Sequence, residues 1–236
     1  MDLLRSHDDF RLLWVAQTVS QIGGQITYLA LPLTAAVALQ ATPAEMGLLT
    51  AMSAFPALVV GIVAGAVADR RARRPILVAA DLLRTSLLLL IPLAWLAGFL
   101  GMPLLYVVAF LGGVCALFFD VAYQAFVPTL LDRRRLVEGN ELLELSRSAA
   151  EMLGPVLAGG LVQLLKAPLA IAADAGSFLT SAALIARIRT VESIHPSPTV
   201  DRTYWQSALS GVRAIGGSAS LQAVHSHLLR LGCSTR

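Results

Sequence analysis

Ionisable side chains set inside long apolar stretches are where this 236-residue chain could do chemistry: Asp81, Arg84, Asp120, Arg147, Glu151 and Asp174 each interrupt a run of Leu, Ala or Val. A charge in hydrocarbon is costly enough that such residues are functional candidates by default. Asp81 and Arg84 are three apart, which reads as a local ion pair near one end of a helix. Glu144, Arg147 and Glu151 follow one another at three- and four-residue steps, a second cluster. Glu151 falls near the middle of its stretch, where desolvation favours the neutral carboxyl and Arg147 the ionised one. A carboxyl balanced between those effects can take up and release a proton, so Glu151, with Arg147 beside it, is the proton-coupling candidate. Asp174, within about two turns of the end of its stretch, reads as a structural polar contact.

Amides add a second kind of chemistry. Gln17, Gln21, Gln25 and Tyr28 recur at helical three-to-four-residue steps and so share one face. Amides at mid-membrane either hydrogen-bond neighbouring helices or line a watery cavity. As a cavity lining, that face suits an amphipathic, weakly charged substrate.

These residues need long apolar elements to hold them, and the chain supplies them. With 56% hydrophobic residues, 14% charged and a mean hydropathy of +0.71, it has too little polar surface to cover a soluble domain of this length. The expected architecture is an all-α membrane protein with six transmembrane helices, at about 13–37, 46–68, 76–98, 104–125, 142–165 and 169–187. Helices are expected over strands because each segment is continuous and satisfies its own backbone. Residues 1–12 read as a cytoplasmic N-terminus, 13–189 as the bundle and 190–236 as a polar cytoplasmic tail, aberrant at its end, with a short amphipathic helix over 204–215.

Arginines assign the sides. Arg5 and Arg11 precede the first span, Arg70, Arg71, Arg73 and Arg74 follow the second, Arg133 to Arg135 the fourth, and Arg187 and Arg189 the sixth, which places both termini in the cytoplasm. The net charge of +3 therefore reads as membrane orientation and not as a nucleic-acid surface. Cys115 and Cys233 lie in unlike surroundings, and His225, His227 and Cys233 match no ligand spacing, so neither a disulfide nor a metal site is expected. With no nucleophile and base, metal set or phosphate loop, no enzyme and no cofactor is expected.

Two motifs narrow the reading. After the second span come Gly65, Asp69, Arg70, Arg73 and Arg74, a Gly-x-x-x-Asp-Arg-x-x-Arg-Arg pattern, and in the fifth span Gly154, Pro155 and Gly159 stand in LGPVLAGG. The first pattern resembles the loop between the second and third helices of the major facilitator superfamily, with Ala72 where a glycine is usual. The second is similar to that family's fifth-helix antiporter motif, with Ala158 replacing one glycine. FRLLWVAQTVSQIGGQITYLALPL, AADLLRTSLLLLIPL, FDVAYQAFVPTLL and LSRSAAEMLGP resemble the macrolide-efflux and enterobactin-exporter branch. Members often carry an acid after the glycine of the first helix, where this chain has Gly23 and Gly24.

The resemblance, over about 10–189, implies one six-helix half of a major facilitator fold, built of two three-helix inverted repeats. It also implies an inner gate of Asp69, Arg73 and Asp120. The implied activity is proton-coupled export of a lipophilic drug or siderophore-like molecule across a bacterial inner membrane. Because that fold has two halves, a truncated gene or incomplete sequence is expected. The alternatives are a non-transporting remnant, or a half that pairs with a second copy or a separate C-terminal half.

Overall fold

A computed structural model describes residues 2–190, apart from the side chains of residues 2, 5, 62, 63 and 66–70. The tail 191–236, with the helix expected over 204–215 and with His225, His227 and Cys233, lies outside the described residues. A short helix α1 (Asp2–Ser6) leads into six long ones: α2 (Asp8–Leu33), α3 (Pro43–Arg70), α4 (Arg73–Leu96), α5 (Met102–Leu130), α6 (Leu136–Leu165) and α7 (Ala167–Ala186). Pro32 frees a carbonyl late in α2, and the backbone widens into a π-helical stretch over Thr34–Ala38. Helix α3 starts on a reciprocal cap, with Thr42 N–H donating to Glu45 Oε2 (2.7 Å), Glu45 N–H to Thr42 Oγ1 (3.4 Å), and Pro43 in the first turn.

Five helices, α3 to α7, are long and apolar enough to cross a membrane. The expected first span falls on α2, which is less apolar than these five. Helix α2 has the length, at 26 residues, but Gln17, Thr18, Ser20, Gln21, Gln25 and Thr27 lower its hydropathy. Outward-facing Leu58, Leu83, Val156 and Leu164 give the bundle an apolar outer surface suited to lipid.

The packing has an internal symmetry. Helix α2 packs on α6 and α7, α5 packs on α3 and α4, and α4 packs on α7. Exchanging α2, α3 and α4 for α5, α6 and α7 returns the same set of pairs. Three spans separate equivalent helices, so each runs through a bilayer opposite to its counterpart, as in an inverted repeat. Helices α4 and α7 meet across the exchange axis.

Two apolar clusters fill the interior. One gathers Phe10, Leu13, Leu77, Phe119, Phe126, Leu143 and Ile185, and the other Ile26, Leu88, Ile91, Leu105, Val108, Ile171 and Phe178. Between them, on α2, α4 and α7, lies a layer of buried polar side chains: Ser20, Asp81, Thr85, Asp174, Ser177 and Ser181.

At the end of the bundle where the chain enters, Asp9 holds the segment just past α7. Its carboxylate accepts from the backbone N–H groups of Arg189 (3.2 Å) and Thr190 (2.8 Å) and from Thr190 Oγ1 (2.5 Å). Arg74 covers the same terminus, donating from Nε to Ile185 O (3.2 Å) and from Nη2 to Ala186 O. Partial burial raises the pKa of Asp9, but the Thr190 hydroxyl and the two N–H groups outweigh it and hold the carboxyl below its ordinary 3.8. The stabilisation is therefore present above the ordinary carboxylate range and lost as pH falls through the lowered pKa. Detergent-solubilised Asp9→Asn is expected to melt below the wild type at pH 7, with the gap closing in strong acid. Parallel melting curves at all pH values would reject the clamp.

Candidate functional site

An open groove of about 990 Å3 runs between α2, α5 and α6. Gln17 and Gln21 line it from α2, Asp120, Tyr123 and Gln124 from α5, and Asn140, Glu144, Arg147 and Ser148 from α6. The Oε1 atoms of Gln17 and Gln21 are buried behind this wall without a hydrogen-bond partner among the described residues. Of the four residues read as one polar face, only these two enter the groove. Gln25 lies over Gly154 at the crossing of α2 and α6. Tyr28 is 80% exposed and lines a second cavity of about 560 Å3, which it shares with Thr27, Arg84, Asp174 and Phe178.

Asp120 is an exposed wall residue of the groove. Of the other residues read as an inner gate, the side chains of Asp69 and Arg70 lie outside the described ones. Gly65 has open space around its Cα, and Arg73 and Arg74 begin α4. Glu151 is 54% exposed and pairs with Arg147 Nη1 at 3.2 Å, while the same guanidinium donates to Glu144 at 2.6 and 3.0 Å. One cation thus holds two carboxylates along a single flank of α6. In the fifth-helix motif only Gly154 is a close approach, because a Cβ there would run into Gln25, whereas at Gly159 it would meet nothing within 4 Å. Pro155 is exposed and removes the N–H that would bond the Glu151 carbonyl.

The polar layer departs furthest from what the spacing suggested. Asp81 makes no ion pair with Arg84; it is fully buried and neither of its carboxylate oxygens has a hydrogen-bond partner among the described residues. Arg84 turns instead onto the Phe178 ring, 4.6 Å from its centroid, and lies 5.9 Å from that of Phe119. Asp174 is 1% exposed, and α2 comes against it at Gly23. Ser177 Oγ donates to its Oδ1 (2.9 Å), while Oδ2 has no partner among the described residues. Thr85 Oγ1 reaches across from α4 to Ala175 O (3.3 Å), and Ser181 Oγ faces Asp81 outside hydrogen-bond geometry.

The sequence held an unread signal for this pair. Pro75, Ala79, Ala80 and Asp81 recur as Pro168, Ala172, Ala173 and Asp174, a Pro-x-x-x-Ala-Ala-Asp repeat at a constant offset. The two copies sit on α4 and α7, the helices that the exchange interchanges, and each aspartate stands about two turns from the start of its helix. The groove residues Gln124 and Asn140 were also missed, since each is a single polar residue with no periodic partner.

Known proteins agree with this architecture. The family model described as transmembrane secretion effector matches residues 4–232. A Bacillus subtilis (strain 168) protein named as an uncharacterized MFS-type transporter, YfiS, is 26% identical over 183 residues, 78% of this chain and 43% of the relative. The chain thus spans less than half the length of the curated relative it matches. With nearly its whole length matched and a bundle of apolar helices, the chain is a multi-pass membrane protein that belongs to the transmembrane secretion effector family, within a superfamily of transporters and not of enzymes, the major facilitators.

Proposed function

We propose that the chain forms one wall of an exporter-type secondary transporter that carries lipophilic, amphipathic small molecules out of a bacterial cell, with both termini in the cytoplasm. The observation that carries the reading is the open groove, which Gln17 and Gln21 line together with Tyr123, Asp120 and Arg147. Such a surface offers hydrogen bonds and an aromatic ring without committing to one charge, which fits drugs or siderophore-like molecules of the macrolide-efflux and enterobactin-exporter branch. Rocking of this bundle against a second body, either a C-terminal half or another copy, would expose the groove to each side in turn. In that cycle Asp69, Arg73 and Asp120 close the inner side. Glu151, paired with Arg147, is the group that couples the motion to protons.

A lipophilic dye such as ethidium, followed by fluorescence polarisation with the full chain in nanodiscs, tests the groove. Gln17→Leu with Gln21→Leu is expected to weaken dye binding about tenfold, the loss of roughly one net hydrogen bond. Unchanged affinity would remove these amides from the site. In liposomes, Glu151→Gln is expected to leave dye movement insensitive to an imposed proton gradient; wild-type gradient-driven movement would reject that residue as the coupling group.

The alternative, a membrane protein that does not transport, draws on the fact that the groove is bounded on one side only by this bundle. Crosslinking in membranes separates the two. A wholly monomeric species whose pattern ignores substrate excludes a paired transporter.

A further inference from the structure

We propose that the outer seam between α4 and α7, at the end where α4 begins and α7 stops, holds one anionic phospholipid, with its phosphodiester at Arg74 and Arg189 and an acyl chain laid along α4.

The site is a cavity of about 590 Å3 with two unlike parts. Arg74, Arg189 and Thr190 line the polar part, and Val78, Ala79 and Leu82 the apolar one. Arg74 is already oriented, because its Nε and Nη2 donate to Ile185 O and Ala186 O, so it brings its charge to a ligand at little cost in order. Arg189 is exposed just past the end of α7. One acid stands at this rim: Asp9, bonded to the N–H groups of Arg189 and Thr190 and to the Thr190 hydroxyl, also attracts Arg189. Two guanidiniums against one carboxylate leave an excess positive charge, the complement of a phosphodiester. The start of α4 adds to it. Its first turn carries Arg73 and Arg74 and no acid, and Ala72, which also lines the cavity, has no side chain to cap the first N–H groups. A helix start favours negative charge, and an anion bound here supplies it.

The surface below makes the anion a lipid. Ala79, Leu82, Ser86, Leu89 and Leu93 follow at three- and four-residue steps and are all exposed, so one face of α4 leads from the cavity along the outside of the bundle. From Pro75 to Ser86 is about 16 Å along the helix, one leaflet's share of a hydrocarbon core about 30 Å thick. On α7, Ala186 lines the same cavity, and Ala183 and Gly176 continue its exposed face with side chains small enough for an acyl chain to lie over. Both helices are apolar enough to cross a membrane and both end at the cavity, which puts it at headgroup height. A soluble anion gains nothing from the apolar face, and a zwitterionic lipid brings a cation of its own to the arginines. None of the cavity's residues lines the groove or the second cavity, so lipid binding stands or fails apart from transport.

The test is native mass spectrometry of the full chain, stripped of lipid in a neutral detergent and then given phosphatidylglycerol or phosphatidylcholine with the same acyl chains. One phosphatidylglycerol is expected to stay bound at concentrations where phosphatidylcholine is lost, and an excess of inorganic phosphate is expected not to displace it. Arg189→Gln is expected to weaken its binding about fivefold, the worth of one basic residue at a lipid surface. Arg133→Gln, the same charge change at an exposed residue outside the cavity, should leave binding as it is. Ala79→Phe fills the apolar part without touching a charge and is expected to weaken binding by a similar factor. Arg189, Arg133 and Ala79 are all exposed, so these variants keep the packed interior, whereas Arg74 is left in place because it also covers the end of α7. Equal retention of the two lipids overturns the proposal, as do equal losses in Arg189→Gln and Arg133→Gln or undiminished binding in Ala79→Phe. Displacement by inorganic phosphate overturns it too, by making this a site for a soluble anion.

Discussion

Gly23→Val is expected to destabilise the bundle by about 3 kcal/mol, the sum of an overpacking cost of roughly 1–3 kcal/mol and a damaged buried hydrogen bond. A Cβ at Gly23 would lie 2.5 Å from Asp174 Oδ1 and still closer to Ser177 Oγ, the two atoms that bond each other at 2.9 Å. Neither can retreat, since Asp174 and Ser177 are on a helix packed against α4 on its other side. Gly24 is the internal control, because nothing lies within 4 Å of a Cβ built there. Thermal melting of detergent-purified protein should therefore separate adjacent residues: a large loss for Gly23→Val and a change within about 0.5 kcal/mol for Gly24→Val. Equal losses at both would mean that α2 does not approach α7 at this point.

Gly154→Val should cost about 2 kcal/mol by forcing α6 away from α2, for a Cβ at Gly154 would stand 2.5 Å from Gln25 Cβ and nearer still to Cγ. The same change at Gly159 should be nearly silent. Five residues along a helix is a rotation of about 140° from the first position, so the two glycines of one motif face opposite ways. Only one of them can be the packing contact. Gly154→Val should also widen the groove between α2 and α6, because Gln25 stands one and two turns along α2 from Gln21 and Gln17. Melting curves of the two variants decide the first point and dye affinity the second; a Gly154→Val protein as stable as Gly159→Val would separate α6 from Gln25.

The behaviour of these glycines shows what could be read from sequence and what could not. Hydropathy marked α3 to α7 as long apolar helices, because the cost of exposing backbone and polar side chains to lipid acts on each segment alone. Which side of each helix meets another depends on rotation and crossing angle, properties of pairs of helices. So Gly154 and Gly159 read alike in LGPVLAGG although one is crowded and the other open. Likewise, Gln17, Gln21, Gln25 and Tyr28 are one stripe on a helical wheel, yet neighbours at different heights divide them between a groove, a crossing and a second cavity. Asp81 looked paired because Arg84 was three residues away, yet Arg84 turns onto Phe178 of another helix. Local spacing finds partners within a turn, while a partner on another helix is found only once the helices are packed.

The order of packing also bears on how the protein is made. Helix α2, the least apolar of the long helices, leaves the ribosome first, but its neighbours α6 and α7 are the last two described helices to follow. Through most of synthesis its glutamines have no protein surface to meet, and only arrival of the final pair lets Gln25 settle on Gly154 and Gly23 on Ser177. The early helix must wait beside the insertion machinery or at the lipid interface while α3, α4 and α5 pair among themselves. A ribosome that stalls before α6 would therefore release a first helix with polar residues and no place to bury them, a ready mark for membrane quality control.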